Sequence, residues 1–220
     1  VFLPLELFIL RRRYSGEFFY AQAANYWIPP GWVEQGMRDA DRRAGERLKA
    51  DYGYRGGFGI DGVATIDGFR PNELNPRVTI GHGLQSQAAD VNLGDIERAV
   101  LAGNLDIEAR WLEDTIVEAV RQQRGGGAMV FVYEEHEPAK AWLNLTPNGL
   151  EEATEGDHDI TVSLGPAAFG SLAIVAVEPG SVEPGPSFAP RIVEIIDHIR
   201  DRWNLELPDV EPAPDVHATG

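Results

Sequence analysis

Side chains that could bind a metal ion or an anion are concentrated in one segment, Gly53–Arg77. Among its residues are the carboxylates Asp61 and Glu73 and the amide Asn75. Glu73 and Asn75 are two residues apart, so on a strand they share a face. Carboxylate and amide oxygens are ligands that Mg²⁺ takes in proteins. Arg77, two residues further on, would place a fixed cation beside phosphates or an anionic substrate, so the segment indicates binding of a magnesium-bound phosphate compound.

Whether Asp61 joins that face depends on the register of the hairpin that this segment is expected to form. A two-residue turn at Asp67-Gly68 would send Asp61 to the other face. A three-residue loop from Ile66 to Gly68 would pair Asp61 directly with Glu73. Turn chemistry permits both registers. We favour the second, because it collects the polar oxygen ligands on one face and the bulky apolar residues on the other.

The order Gly-Tyr-Arg-Gly, Gly-Ile-Asp, a turn and Glu-x-Asn-Pro-Arg, within residues 53–77, resembles the ATP-grasp superfamily of carboxylate–amine ligases. The resemblance implies that Asp61, Glu73 and Asn75 bind ATP through Mg²⁺ (or Mn²⁺), and that Arg77 is a catalytic residue. It implies a ligase that activates a small-molecule carboxylate as an acyl phosphate for attack by an amine or thiol acceptor. The alternative is a catalytically inactive binding or regulatory module with an ATP-grasp-like fold.

The resemblance covers roughly residues 1–100 and is specific only around residues 53–77. The strand at Leu5 to Phe8 and a helix over 33–51 also resemble elements of the superfamily. The superfamily's other nucleotide-binding lobe, with its lysines and glycine-rich loop, would precede Val1. Since the chain lacks an initiator Met and starts within a strand pattern, we expect a fragment or a processed product.

Hydrophobic periodicity predicts an α+β fold with three regions. The resemblance implies that residues 1–103 form an ATP-grasp-like metal- and ATP-binding lobe, truncated at its N-terminus, in which helices accompany a mixed or antiparallel sheet. Residues 104–206 form a β-rich α+β region, and residues 207–220 form a flexible tail. Residues 78–93 read as a looser segment, and Gly125 to Gly127 as a flexible joint.

Composition excludes several classes of function. The 220 residues carry 35 Asp and Glu against 19 Lys and Arg, a net charge of -16, which repels phosphate backbones and argues against a nucleic-acid partner. No apolar run is long enough to span a membrane. Cysteine is absent, which removes disulfides and thiolate chemistry and fits a cytoplasmic protein. Composition leaves the oligomeric state open.

Other candidate residues carry weaker signals. His82 follows the motif closely enough to line an acceptor pocket, but a solvated loop histidine is the simpler interpretation. His136 and His158 lie in acidic runs without metal-ligand spacing and are expected in solvated turns. The run Arg11–Arg13 fits a phosphate clamp and an exposed turn equally well. The run Gly56–Gly59 lacks the lysine of a phosphate-binding loop and is expected to permit close packing.

Overall fold

The chain folds into two compact units, each built from two separate stretches of sequence. A computed structural model describes residues 1–104, 106–185 and 187–213. The unit that we call the hairpin unit contains residues 1–5 and 28–123. The sheet unit contains residues 6–27 and the chain from Arg124 onward.

The described residues form five helices and ten strands, numbered here in chain order. The helices are α1 (Gly31–Tyr52), α2 (Ile80–Ala89), α3 (Leu93–Leu101), α4 (Ala109–Gln122) and α5 (Ala189–Trp203). The strands are β1 (Glu6–Arg12), β2 (Phe18–Ala24), β3 (Gly59–Thr65), β4 (Gly68–Asn75), β5 (Gly126–Val132), β6 (Ala139–Thr146), β7 (Gly149–Glu152), β8 (Ile160–Ala167), β9 (Gly170–Val177) and β10 (Val210–Pro212). The α+β class predicted from the sequence is therefore confirmed. No helix among the described residues is both long and apolar enough to cross a membrane.

The sheet unit is built around an antiparallel sheet with the strand order β10-β1-β2-β5-β9-β8-β6-β7. Helix α5 covers one face of it through an isoleucine stripe, Ile192, Ile195, Ile196 and Ile199, each with 0% exposure. This spacing of three and four residues places the stripe on one side of the helix. Burying each isoleucine contributes roughly 1.5–3 kcal/mol to the stability of this layer.

The first hairpin of the chain belongs to this sheet. Strand β1 pairs with β10, and strand β2 pairs with β5. We expected a boundary between residues 103 and 104, and the observed units differ from that division. The sequence did not indicate them because these long-range pairings leave no local trace in it. The structure also differs from the flexible joint that we expected at Gly125–Gly127. Gly126 and Gly127 lie in β5, where a Cβ on Gly127 would collide with the Val175 carbonyl oxygen.

The segment after residue 206 was expected to be a flexible tail, but its described part is packed against the sheet unit. Val210 is fully buried in β10, and Leu207 retains only 8% exposure. Arg11 Nε donates to Glu211 Oε1 at 2.7 Å, so an ion pair accompanies the strand pairing. Residues 214–220, which include His217, lie outside the described residues.

The hairpin unit contains the two-stranded β3–β4 sheet and helices α1 to α4. Its buried apolar cluster is small and joins Leu3, Leu93, Ile116, Val117 and Val120. Helix α2 occupies part of the stretch that was expected to be loose. The expectation was wrong because two glycines and few apolar residues weaken the helical pattern there.

Candidate functional site

The β3–β4 hairpin pairs the two carboxylates that the sequence singled out. Asp61 is the cross-strand partner of Glu73, and Gly59 is the partner of Asn75. The predicted pairing of Asp61 with Glu73 is therefore confirmed.

The turn that produces this register was predicted wrongly. Thr65 pairs with Gly68, so the connection is the two residues Ile66 and Asp67. The register then shifts between Asp61 and Gly62, where a β-bulge inserts one extra residue in the opposite strand. A tighter turn and a bulge together give the pairing that we had attributed to a three-residue loop.

The hairpin segregates its side chains as expected. One face lies against α1, where the Phe58 ring is 3.2 Å from the position that a Cβ on Gly45 would occupy. Alternation places Asp61, Glu73 and Asn75 on the other face. Glu73 is exposed, whereas Asp61 and Asn75 are half-buried. Because the apolar face of the hairpin packs on α1, its polar face points away from that helix.

Three of the four predicted site residues are joined by hydrogen bonds, and the fourth, Glu73, lies opposite Asp61. Asn75 Nδ2 donates to Asp61 Oδ2 at 3.1 Å. Arg77 Nη2 donates to Asn75 Oδ1 at 3.4 Å, and Arg77 Nη1 donates to the Val78 carbonyl oxygen at 3.3 Å. Asn75 thus connects the carboxylate pair to the guanidinium. In this arrangement its amide oxygen faces Arg77, so the amide would have to turn over to offer that oxygen to a cation beside Asp61.

Asp61 and Glu73 face each other across the hairpin as two like charges. Burial and the facing charge of Glu73 raise the pKa of Asp61, while Arg77 opposes the rise. Two facing carboxylates with an amide beside them suit a hard divalent cation, which would relieve the repulsion.

The cluster is smaller than a complete protein metal cage. Among the described residues, no group of three or more His, Cys, Asp or Glu side chains is arranged to hold a metal ion. Asp61 and Glu73 supply two such side chains, and Asn75 is the third member of the set. Mg²⁺ commonly keeps several waters and binds through one or two carboxylates together with substrate phosphates. The residues present fit that mode of binding.

The glycine-rich stretch before β3 permits close packing, as the sequence predicted. The Gly57 N–H donates to Glu97 Oε1 at 2.5 Å, so it is already paired. A Cβ on Gly57 would lie 2.6 Å from His82 Nε2, and a Cβ on Gly59 would lie 2.9 Å from Thr79 Cγ2. Glu97 was not singled out in the sequence, because it lies among ordinary helical charges. It ties the start of the hairpin to α3.

His82 lies in the first turn of α2 and not in a solvated loop. The Thr79 N–H donates to His82 Nδ1 at 3.1 Å, which closes the N-terminus of the helix. Burial lowers the pKa of His82, although the nearby Glu97 charge opposes the change. A threonine three residues before the histidine was the available signal for this helix start. The pair fixes the backbone that follows Arg77.

The remaining candidate residues have structural partners. His158 Nε2 lies 2.8 Å from Thr161 Oγ1. His136 Nε2 is buried without a hydrogen-bond partner among the described residues and lies 3.7 Å from Glu134 Oε2. Arg13 Nε donates to Asp209 Oδ1 at 3.0 Å, and Arg12 lies 3.8 Å from Glu17. Arg11 is bound to Glu211, so the arginine run at the end of β1 is ion-paired and is not a free phosphate clamp.

Comparison of the chain with protein-family models, with curated proteins and with solved structures found no match. The functional interpretation therefore depends on the residues of the hairpin and their geometry.

Proposed function

We propose that this chain is the ATP- and metal-binding lobe of an ATP-grasp-like ligase. In this proposal, ATP phosphorylates a small-molecule carboxylate, and an amine or thiol acceptor then displaces phosphate from the acyl phosphate. The observation that carries the proposal is the Asp61–Glu73 cross-strand pair, with Asn75 and Arg77 joined to it on one hairpin. The residue order of the motif supports the same interpretation.

The four residues divide between two roles in this proposal. Asp61, Glu73 and Asn75 would hold Mg²⁺ or Mn²⁺ together with ATP. When bound, the metal neutralises charge on the phosphates. Arg77 would hold the anionic acid or its acyl phosphate through two parallel hydrogen bonds, which only a guanidinium can offer. The contribution of the chain is therefore positioning and electrostatic stabilisation.

Thermal unfolding of the full-length protein with and without Mg²⁺-ATP tests the binding site. A ligand at 100 times its Kd stabilises the folded state by about 2.7 kcal/mol. Glu73→Gln removes one anionic ligand, and a tenfold loss of affinity would reduce that stabilisation by about 1.4 kcal/mol. Glu46→Gln, at an exposed position on α1, is the matched control and should leave the shift unchanged. An equal shift in the wild type and Glu73→Gln would place the nucleotide elsewhere.

Arg77→Lys separates catalysis from binding. Lysine keeps the charge that attracts ATP but loses the planar fork, so the thermal shift should persist while phosphate release falls by roughly one to three orders of magnitude. Arg70→Lys, at an exposed position of the same hairpin, is the control. Normal turnover in Arg77→Lys would remove Arg77 from the proposal. Binding of Mg²⁺-ATP without any turnover in the wild type would favour the inactive module.

A further inference from the structure

The face of the eight-stranded sheet opposite α5, which we call the open face, carries exposed apolar side chains. Phe131 is 62% exposed, Ile174 43% and Ile9 39%. Phe131 is the cross-strand partner of Leu172, and Met129 is the partner of Ile174. These pairs form a contiguous patch on β5 and β9, in the middle of the sheet. Contiguous exposed apolar surface of this kind marks an interaction site.

The open face also lacks carboxylates. Along each strand, the residues that alternate with the buried core residues lie on the open face. None of these residues is Asp or Glu within the described residues of the six neighbouring strands β1, β2, β5, β9, β8 and β6. The chain as a whole has 35 acidic residues in 220. At the edge strands the face carries Glu211 on β10 and Glu151 on β7. Arg11 and Lys140 are its cations.

We infer that the open face is a self-association interface, on which a second copy of this chain packs its own open face. Two copies of a chain with a net charge of -16 repel each other across most of their surface. Contact through a face without carboxylates avoids the closest repulsions. A basic partner would find no acidic side chains in the middle of this face. An acidic partner would find few cations, since Arg11 is already bound to Glu211.

The face is large enough for a stable dimer. Six strands spaced by about 4.8 Å, each about seven residues long at about 3.3 Å per residue, give a footprint of roughly 670 Å² per copy. Stable specific interfaces bury about 1,200–2,000 Å² in total, or about 600–1,000 Å² per partner, and the footprint lies within that range. Two sheets that pack face to face, about 10 Å apart, interdigitate side chains such as Phe131 and Ile174. The inference is independent of the proposed ligase function.

Sedimentation velocity over a range of concentrations of the full-length protein tests the inference. We expect a monomer–dimer equilibrium in which Phe131→Glu and Ile174→Glu each raise the dissociation constant at least tenfold. In a twofold-symmetric interface each substitution occurs twice, so like charges meet near the centre. Ile66→Glu is the matched control, since Ile66 lies at the tip of the β3–β4 hairpin with 92% exposure. It should leave the dissociation constant unchanged.

Salt provides a second measurement. Added salt screens the repulsion between acidic copies, so the dimer should strengthen as ionic strength rises. A wild-type protein that stays monomeric at every concentration overturns the inference. A dimer that resists both glutamate variants, or one that weakens with salt, also overturns it. Circular dichroism and a melting curve establish that each variant is folded. The two variants are made separately, so that one folded variant is enough to test the interface.

Discussion

Gly62 is the residue at which a single added methyl group would most directly disturb the candidate site. It follows Asp61 at the register shift of the hairpin. A Cβ on Gly62 would lie 2.5 Å from the Arg70 carbonyl oxygen and 2.6 Å from two atoms of the Phe69 ring. Since one of these neighbours is the backbone of the paired strand, the strands must separate locally. Overpacking of this kind typically costs about 1–3 kcal/mol, which is the expected loss for Gly62→Ala.

Hydrogen exchange of the hairpin amides measures this loss where it occurs. The free energy of opening for amides in β3 and β4 should fall by that amount, and the Mg²⁺-ATP shift should fall with it. Gly83→Ala is the matched control, because Gly83 lies in α2 with no heavy atom within 4 Å of the added Cβ. The same chemical change should there stabilise the helix by about 0.5–1 kcal/mol. Unchanged exchange in Gly62→Ala would refute the close packing that we describe at the bulge.

Three further predictions concern stability. Burial raises the pKa of Asp41 from 3.8 to about 6, so its contribution to stability is fully present below pH 3.8 and is lost as the pH rises through 6. Asp41→Asn should therefore melt like the wild type near pH 4 and at a higher temperature above pH 7, and melting curves with equal differences at both pH values would contradict this. Val210→Ala should destabilise the sheet unit by about 1–3 kcal/mol in urea unfolding, because β10 buries this side chain; a negligible change would mean that β10 is not docked. His82→Leu removes the acceptor of the Thr79 N–H and should cost about 1–2 kcal/mol, seen as faster amide exchange in the first turn of α2, with exchange in α4 as the internal control.

The carboxylate pairing was predictable from the sequence because the register that pairs Asp61 with Glu73 separates the polar ligands from Phe58, Ile60 and Leu74. That separation favours this register, and Asp61 lies opposite Glu73. The path of the backbone was less predictable. Several combinations of turn and bulge give the same pairing, and the observed one uses Ile66 and Asp67 as the turn.

Other elements depend on contacts between distant residues. Strand β10 has only three residues and ends in proline, so nothing local distinguishes it from a loop. Its register on β1 brings Glu211 opposite Arg11, a pairing that appears only in three dimensions. Gly126 and Gly127 read as a flexible joint for the same reason. Their role is close approach to neighbouring strands, which composition alone does not reveal.

The division of both units into two stretches has a consequence for how the protein is made. The chain passes from one unit to the other three times, after Leu5, Trp27 and Gln123. Strand β1 leaves the ribosome long before β10, because Arg11 and its partner Glu211 are separated by 200 residues. During that interval β1 has an unpaired edge, which is a site for aggregation or chaperone binding. Closing so long a loop favours slow folding. A protease that cuts at any one of the three crossings would release neither unit, because the other two crossings still join them.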